Sequence, residues 1–251
     1  MEANDYIFGI RAVMEAIESG KQIDKVLVRN DLNGQLAGEL FSLLRAHDIR
    51  PQRVPEQKLN RITRKNHQGV IAFVSAVHYH NLRQVVPTLF EDGILPMLVV
   101  LDGITDVRNF GAIARTAECC GVNAIVIPER GSAAVNADAV KTSAGALLHL
   151  PVCRERSLRE AVEYLRLSGY TIVAASEKAD INYTKADFTG PVAIVMGAED
   201  VGISQDILQL CDTMVSIPMF GHIGSLNVSV AAGVMLYEAV RQRLESDMEV
   251  I

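Results

Sequence analysis

The sequence lacks the cysteine, glycine and apolar patterns that define several large classes of protein. Its four cysteines, Cys119, Cys120, Cys153 and Cys211, include no CxxC pair, so neither a zinc site nor a disulfide framework is indicated. No apolar run is long enough to span a membrane, and no GxGxxG or GxxxxGKS motif marks a dinucleotide or P-loop site. His222 has no partner at metal-ligand spacing, so we expect no bound metal.

The start of the chain and its cysteines bear on location. Met1–Asp5 is acidic and polar, unlike the basic and apolar start of a secretory signal. Cysteines without disulfide spacing are typical of reduced thiols. We therefore expect a cytoplasmic protein with no membrane partner.

Charge is distributed unevenly along the chain. The formal net charge of −6 argues, on its face, against a nucleic-acid partner. Residues 1–78 nevertheless carry 11 Lys and Arg against 9 Asp and Glu, a net of +2, which leaves −8 for residues 79–251. Between residues 50 and 65 only Glu56 is acidic, and this basic cluster is either a phosphate-binding surface or a solvated face. Its cations are Arg50, Arg53, Lys58, Arg61, Arg64 and Lys65.

The length of 251 residues and the hydrophobic content of 49% suit one large domain or two modest ones. Residues 1–77 have the pattern of a small α/β unit. Residues 78–96 contain two prolines and a glycine, which indicates a linker with at most one helical turn. Residues 97–251 form the second predicted domain. In the first unit the pattern predicts helices over 9–19 and 36–47 and strands over 25–28 and 70–74.

From residue 97 onward, apolar runs alternate with helical patterns. Because the runs are apolar at every position, they are typical of strands buried on both faces. The alternation predicts an α/β fold with a parallel sheet and helices on both faces, whose ligands bind beyond the carboxyl ends of the strands. The predicted strands are 97–101, 124–127, 171–175, 192–196 and 214–217, and the predicted helices are 109–120, 136–148, 157–168, 204–210 and 226–243.

Three polar segments begin at such strand ends, and the first is residues 101–117. Asn109 is a candidate helix N-cap. Helical spacing places Arg115 nearly opposite the apolar stripe that contains Phe110 and Ile113. The segment is either a capped helix with one solvated arginine or an Asn–Arg pair directed at an anionic substrate.

The second segment is residues 194–203. Gly197 ends a buried strand and Gly202 precedes a short helix, so the backbone can approach a ligand closely. Glu199 lies between the two glycines. It is either a charge at a helix N-terminus or a carboxylate that acts on a substrate.

The third segment, residues 217–231, leads from a buried strand through a glycine-rich turn into a long helix. Ser225 or Asn227 could cap that helix. One polar residue is enough to cap a helix, and a cap does not require Gly221 and Gly224. The second polar residue and the two glycines therefore favour a loop that places backbone amides and small polar side chains around a ligand.

In order and separation, the three segments resemble the motifs of the SpoU-type RNA ribose 2′-O-methyltransferases of the SPOUT superfamily. The N-terminal unit is similar to the ribosomal-protein-like RNA-binding domain of that family. The whole layout is most similar to the RlmB branch, which methylates a guanosine in the peptidyl-transferase loop of bacterial 23S rRNA. The matching residues are Asn109, Gly111 and Arg115, then 196–199 with Gly202, then 217–219 with 225–231, and, in the N-terminal unit, Phe8, Gly9 and 67–69.

The resemblance implies a fold, a cofactor and an assembly. The second domain would be a SPOUT α/β knot, in which the last segment threads a loop as a deep trefoil, a rare exception to the rule against knots. S-adenosyl-L-methionine would be bound in that knot by Gly197, Ile217, Met219 and Leu226. The enzyme would be a homodimer, in which Arg115 reaches the cofactor bound by the other subunit.

The resemblance also implies catalytic roles. The cofactor supplies an activated methyl group, but a ribose 2′-hydroxyl is a poor nucleophile that the protein must align. Arg115 would stabilise the developing alkoxide and bind the adjacent phosphate, because a neutral guanidinium base is costly. Asn109, Ser225 and Asn227 would orient ribose and phosphate, and Glu199 would position Asn109 or the substrate.

Three alternatives stay open. A tRNA ribose methyltransferase of the same superfamily would share the motifs, although that branch usually lacks a separate N-terminal unit. A non-catalytic RNA-binding ribosome-assembly factor with the same fold would not need the intact set of polar motif residues. An ordinary doubly wound nucleotide-binding domain is disfavoured, because no glycine-rich phosphate loop follows its first strand.

Overall fold

The computed structural model describes residues 6–249. The chain divides into two compact units, one formed by residues 1–78 with 134–137 and the other by residues 79–133 with 138–251. The acidic N-terminal segment noted in the sequence, Met1–Asp5, lies outside the described residues.

The first unit contains a four-stranded sheet in the order β1-β4-β2-β3. Strand β2 pairs antiparallel with β4 and parallel with β3. The predicted helices and strands are confirmed to within about two residues, whereas two three-residue strands and one short helix were missed because they are too short to show a period. The elements are β1 Tyr6–Phe8, α1 Ile10–Glu18, β2 Ile23–Arg29, α2 Gln35–Ala46, β3 Gln52–Val54, α3 Glu56–Ile62 and β4 Val70–Val74.

Both faces of this sheet are covered by helices, but unequally. Val26 and Val28 of β2 lie in a core shared with α1 and α2. Leu27 points to the opposite face, because side chains alternate along a strand, and packs there with Ile71 of β4 and Leu59 of α3. The two long helices thus cover one face, and the seven-residue α3 covers the other.

The second unit contains an eight-stranded sheet in the order β10-β12-β9-β11-β6-β7-β8-β5, and every neighbouring pair in it is parallel. This arrangement confirms the predicted α/β class. The strands are β5 Tyr79–His80, β6 Met97–Asp102, β7 Ala124–Pro128, β8 Val152–Glu155, β9 Thr171–Ala175, β10 Ile181–Asn182, β11 Val192–Gly197 and β12 Thr213–Ser216. The helices are α4 Leu82–Glu91, α5 Val107–Cys119, α6 Ala137–Thr142, α7 Leu158–Leu167, α8 Gln205–Leu208 and α9 Val228–Glu249.

Helices flank this sheet as the alternation of strands and helices predicts. Leu98 and Val100 of β6 lie in a core with side chains of α4, α7 and α8. The intervening Val99 points to the other face. Helices α5 and α9 pack on each other, and α9 contacts β11. Among the described helices, even the 22-residue α9 does not have the apolar length that crossing a bilayer requires.

The structure differs from the prediction of a linker over residues 78–96. Leu82–Glu91 is a ten-residue helix with Pro87 inside it. Proline removes one backbone donor, which argued for a break. Leu82 and Val86 are nevertheless almost fully buried, 1% and 2% exposed, so packing against the sheet outweighs the lost hydrogen bond.

The predicted helix over 136–148 is also wrong in its second half. Helix α6 ends at Thr142, and a 3-10 turn follows at Ala146–Leu148. Between them Ala144 and Gly145 have φ angles of 52° and 88°, which interrupt a right-handed helix. The spacing of apolar residues is uniform through this segment, so it did not predict the break.

Candidate functional site

The three polar segments of the sequence meet at one edge of the second sheet. Strands β6 and β11 are parallel neighbours whose last residues, Asp102 and Gly197, lie opposite each other. Helix α5 begins at Val107, shortly after β6, and α9 begins at Val228. The carboxyl ends of two central strands and the starts of two helices therefore carry the predicted site.

Asn109, Glu199 and Asn227, one from each segment, form a single hydrogen-bond network. Glu199 Oε1 accepts from Asn109 Nδ2 at 3.2 Å and from Asn227 Nδ2 at 2.6 Å. Asn227 Nδ2 also donates to Asn109 Oδ1 at 3.0 Å. The backbone N–H of Val228 donates to Glu199 Oε1 at 3.3 Å. We call these three side chains the amide–carboxylate network.

The helix caps differ from the prediction at α5. Asn109 is not the N-cap, because Asp106 occupies that position and its Oδ1 accepts from the backbone N–H of Asn109 at 2.8 Å. This leaves the Asn109 side chain free for the amide–carboxylate network. Asn227 does cap α9, since its Oδ1 accepts from the backbone N–H of Ser229 at 3.0 Å. Asn227 thus caps a helix and belongs to the network at the same time.

Glu199 is carried by a tight turn at the end of β11. Ala198 and Gly202 form an isolated antiparallel bridge that closes the turn. A Cβ atom on Gly197 would lie 2.3 Å from both the carbonyl carbon of Gly202 and the backbone nitrogen of Ile203. Only glycine fits there, so the close return of the backbone explains the glycine that ends the strand.

Asp102 anchors the far end of this turn through a contact that sequence reasoning missed. Its Oδ2 accepts from the backbone N–H of Ser204 at 2.7 Å and from Ser204 Oγ at 2.6 Å. The two residues are 102 positions apart. A carboxylate at the end of a buried strand was the one available signal, but its partner could not be read from spacing.

A pocket of ≈ 690 Å³, including its open mouth, adjoins the network. All four residues predicted to bind the cofactor line it: Gly197, Ile217, Met219 and Leu226. Ser225, predicted as a catalytic residue, lines the same pocket. The walls are mostly apolar with a few polar groups, a composition typical of sites for small organic ligands.

A second cavity, of ≈ 530 Å³ by the same measure, lies against the first. Asn109 and Asp106 line it, and Glu199 and Val228 line both cavities. The amide–carboxylate network therefore stands where two ligand-sized spaces adjoin. Such an arrangement can hold a donor and an acceptor molecule side by side.

Arg115 is not brought to these cavities by its own chain. It is exposed on α5 and is not among the lining residues of either cavity. Among the residues whose side chains the structure describes, 6–246, its guanidinium forms no hydrogen bond or ion pair. Neither cavity is lined by a lysine or an arginine from the described part of the chain.

The same part of the chain holds no group of three or more His, Cys, Asp and Glu residues that could bind a metal ion.

Two family models match this chain. The model described as the SpoU rRNA Methylase family matches residues 96–237. The model described as RNA 2′-O ribose methyltransferase substrate binding matches residues 6–80. The first match includes every predicted site residue, and the second coincides with the four-stranded unit.

Individual proteins are similar over most of the chain. A protein of Staphylococcus saprophyticus assigned to the TrmH family of tRNA/rRNA methyltransferases is 37% identical over 94% of this chain and 95% of its own. The AdoMet-bound rRNA methyltransferase from Sinorhizobium meliloti is 25% identical with a TM-score of 0.60, covering 94% of this chain and 86% of that one. The A. aeolicus TrmH/SpoU tRNA modifying enzyme is 31% identical with a TM-score of 0.57, covering 66% of this chain and 86% of that one.

Proposed function

Because this chain belongs to the SpoU rRNA methylase family, whose members are S-adenosyl-L-methionine-dependent RNA methyltransferases, we propose that it methylates the ribose 2′-hydroxyl of a guanosine in the peptidyl-transferase loop of 23S rRNA. One observation carries the site assignment. Asn109, Glu199 and Asn227 come from three distant segments and meet where two ligand-sized cavities adjoin.

The larger pocket is the proposed cofactor site. S-adenosyl-L-methionine supplies a methyl group that is already a good electrophile. Ile217, Met219 and Leu226 would form the wall against its adenosine, and Gly197 would let the backbone approach it. Their mostly apolar surface fits an adenine ring, which offers large flat faces and few charged groups.

The second cavity is the proposed place of the target ribose. Glu199 accepts hydrogen bonds from both Asn109 and Asn227, which fixes the two side-chain amides. Asn109, which lines this cavity, would orient the ribose. Asn227, held by Glu199, and Ser225, which lines the adjoining larger pocket, would orient ribose and phosphate. Glu199 then acts as a positioning residue. Alignment of this kind is a large part of the catalysis of a bimolecular transfer.

Neither cavity is lined by Lys or Arg from the described part of the chain, so we infer that the cation for the developing alkoxide comes from another copy of the chain. We assign that role to Arg115 of a second copy in a homodimer. Its guanidinium has no partner among residues 6–246, whose side chains the structure describes, so it is available. Exposed apolar side chains support such an assembly, since Phe220 is 96% and Ile223 is 78% exposed in a single chain.

The two units would have different functions. Residues 1–77 would bind the RNA, in agreement with the substrate-binding family model over 6–80. Residues 97–251 would form the methyltransferase domain with the trefoil knot that the resemblance implies.

The extent of the structural matches favours rRNA as the substrate. The match to the rRNA enzyme from S. meliloti covers 94% of this chain, whereas the match to the tRNA enzyme from A. aeolicus covers 66%. A tRNA ribose remains the alternative substrate, because the S. saprophyticus relative is named for both RNAs.

Transfer of a labelled methyl group tests this function. The protein is incubated with labelled S-adenosyl-L-methionine and either a 23S rRNA fragment that contains the peptidyl-transferase loop or bulk tRNA. We expect 2′-O-methylation of one guanosine in the rRNA fragment. Methylation of tRNA alone would move the assignment to the tRNA branch. RNA binding without any transfer would indicate the non-catalytic assembly factor.

A further inference from the structure

Helix α3 leaves part of its side of the four-stranded sheet accessible. Leu59 of α3 packs on Leu27 and Ile71 of the sheet, and all three are at most 1% exposed. Farther along the same face, three aromatic rings are only half-buried: Tyr6, Phe8 and Phe73. We call these three residues the aromatic row.

The register of the strands fixes the row. Tyr6 of β1 lies opposite Phe73 of β4, and Phe73 lies opposite Lys25 of β2 on its other side. The ring centroids of Tyr6 and Phe73 are 6.1 Å apart at an interplanar angle of 54°. Those of Tyr6 and Phe8 are 6.3 Å apart at 46°. Three neighbouring strand positions thus present aromatic rings with a lysine at one end.

Positive charge borders the row on more than one side. Lys65 Nζ lies over the face of the Phe8 ring, 5.7 Å from its centroid. The pKa of Lys25 is lowered from its usual value by partial burial first and by the nearby charge of Lys58 second. Two neighbouring ammonium groups beside an aromatic surface are a favourable place for an anion.

The predicted basic cluster does not form one surface. Val54 of β3 packs in the core under α3, so the adjacent Arg53 points to the opposite face of the sheet. There its guanidinium lies 5.3 Å from the Phe41 ring centroid and donates to the carbonyl of Asn30 at 2.6 Å. Lys65 lies over the Phe8 ring, and Lys58 lies near Lys25, which is outside that cluster in sequence and opposite Phe73.

We propose that the aromatic row, with Lys25, Lys58 and Lys65, binds unpaired nucleotides of the RNA substrate. Bases would stack on the rings and the lysines would contact the phosphates. Bases inside a duplex do not offer their faces, so the surface would prefer single-stranded RNA to a duplex of the same sequence. The inference rests on the proposed function, since it assumes an RNA substrate.

The matched variants are Phe73→Leu and Phe41→Leu. Both replace a half-buried ring by an apolar side chain of similar size, but Phe41 lies on the opposite face of the sheet. A fluorescent single-stranded RNA of about 12 nucleotides, within the usual site sizes, is titrated into each full-length protein. We expect Phe73→Leu to weaken binding about tenfold, as the loss of one base–aromatic stack would, and Phe41→Leu to change it less than about twofold.

A second measurement does not depend on a core substitution. Wild-type protein is crosslinked by light to the same RNA carrying 5-iodouridine, and the modified peptides are identified by mass spectrometry. Adducts at Tyr6, Phe8 or Phe73 are expected.

A third measurement tests the lysines. A variant that carries both Lys25→Gln and Lys65→Gln, at exposed positions, should show an RNA affinity that depends less on salt concentration. The variant Lys21→Gln, also at an exposed position, should not.

The outcomes separate this inference from the proposed function. If the wild type methylates an rRNA fragment while Phe73→Leu binds RNA unchanged and no adduct maps to the row, the inference is wrong and the function stands. If the wild type transfers no methyl group to any RNA, the function itself is wrong. Adducts only on the Phe41 side would place the RNA on the opposite face.

Discussion

Asn227 Nδ2 donates to Glu199 Oε1 at 2.6 Å, although the two residues belong to different loops. Because Asn227 Oδ1 also caps α9 through Ser229, the start of the longest helix and the turn after β11 are fixed to each other. The third member, Asn109, joins both to α5. A change in any one of these side chains therefore alters the orientation of the other two.

Replacing Asn109 by alanine tests the amide–carboxylate network. Asn109 lines the second cavity and not the proposed cofactor pocket, and its backbone remains capped by Asp106. We expect kcat for methyl transfer to fall about 100-fold through misalignment, while the Kd for S-adenosyl-L-methionine stays within about twofold. Calorimetry and single-turnover transfer measure the two quantities. Cys119→Ala, at an exposed position of the same helix, is the control.

Part of this site could be predicted because it depends on local patterns. The strands that end in Asp102 and Gly197 are apolar at every position, which marks buried parallel strands and so places the ligand edge. Asn109, Glu199 and Asn227 stood out because each follows such a strand end or precedes a helix. Their convergence at one junction depends on sheet order, which spacing alone does not supply; the family resemblance implied that convergence by assigning Glu199 to position Asn109.

Other features depend on contacts between distant residues or on competing local effects. Asp102 and Ser204 meet across 102 positions, and no spacing rule connects them. Helix α4 was missed because Pro87 indicated a break that burial of Leu82 and Val86 overrides. The basic cluster was predicted as one patch, but strand alternation sends Arg53 to the other face of its sheet.

Arg115 should be required for transfer and not for cofactor binding. The Arg115→Ala variant should bind S-adenosyl-L-methionine with an unchanged Kd and lose methyl transfer by more than about 100-fold, as the loss of a charge-stabilising group does. Arg115→Lys should not restore activity, because a single ammonium cannot make the forked contact of a guanidinium. Turnover is measured with cofactor and RNA saturating.

Mixed dimers show whether Arg115 acts across an interface. Arg115→Ala is co-expressed with Gly197→Ala, and the singly tagged heterodimer is purified. If each site combines the pocket of one copy with Arg115 of the other, one site carries both changes and the other carries neither. About half of the wild-type activity should then return. An inactive heterodimer would place Arg115 in the site of its own chain.

Gly197→Ala should abolish cofactor binding by displacing the turn that carries Glu199. The added methyl group would lie 2.3 Å from backbone atoms of Gly202 and Ile203, which cannot move aside as a flexible side chain can. We expect no heat of binding at cofactor concentrations about 100 times the wild-type Kd. Gly190→Ala is the control, because a Cβ there meets no atom within 4 Å. Equal cofactor affinities for the two variants would contradict the close-approach argument.

Asp102→Asn should loosen the same turn without adding bulk. The carboxylate accepts from the backbone N–H and the hydroxyl of Ser204, and charge-assisted hydrogen bonds are stronger than neutral ones. We expect a loss of about 1 kcal/mol in the free energy of unfolding and a larger relative loss in kcat/KM. Ser204→Ala removes only the hydroxyl contact. In a double-mutant cycle the two changes should not be additive, whereas additivity would show that they act independently.

Glu238 should contribute stability that is lost in acid. This buried carboxylate accepts from Arg241 Nε at 2.9 Å and from Gln242 Nε2 at 2.9 Å. The hydrogen bonds from Arg241, more than the opposing effect of burial, hold the pKa of Glu238 below its ordinary value of 4.5. A carboxyl whose pKa is lower in the folded state binds its proton more weakly there than in the unfolded chain. Its contribution is therefore complete above about pH 4.5 and disappears as the pH falls through the lowered folded-state pKa.

Urea unfolding of the wild type and Glu238→Gln at about pH 6 and about pH 3 measures this contribution. The wild type should be the more stable protein at the higher pH, and the difference in midpoint should shrink at the lower pH as Glu238 becomes protonated. Glu245→Gln is the control: it pairs with the same Arg241 but is exposed, and exposed ion pairs contribute little. A midpoint difference that is the same at both pH values would mean that Glu238 stabilises α9 by packing, since packing does not titrate.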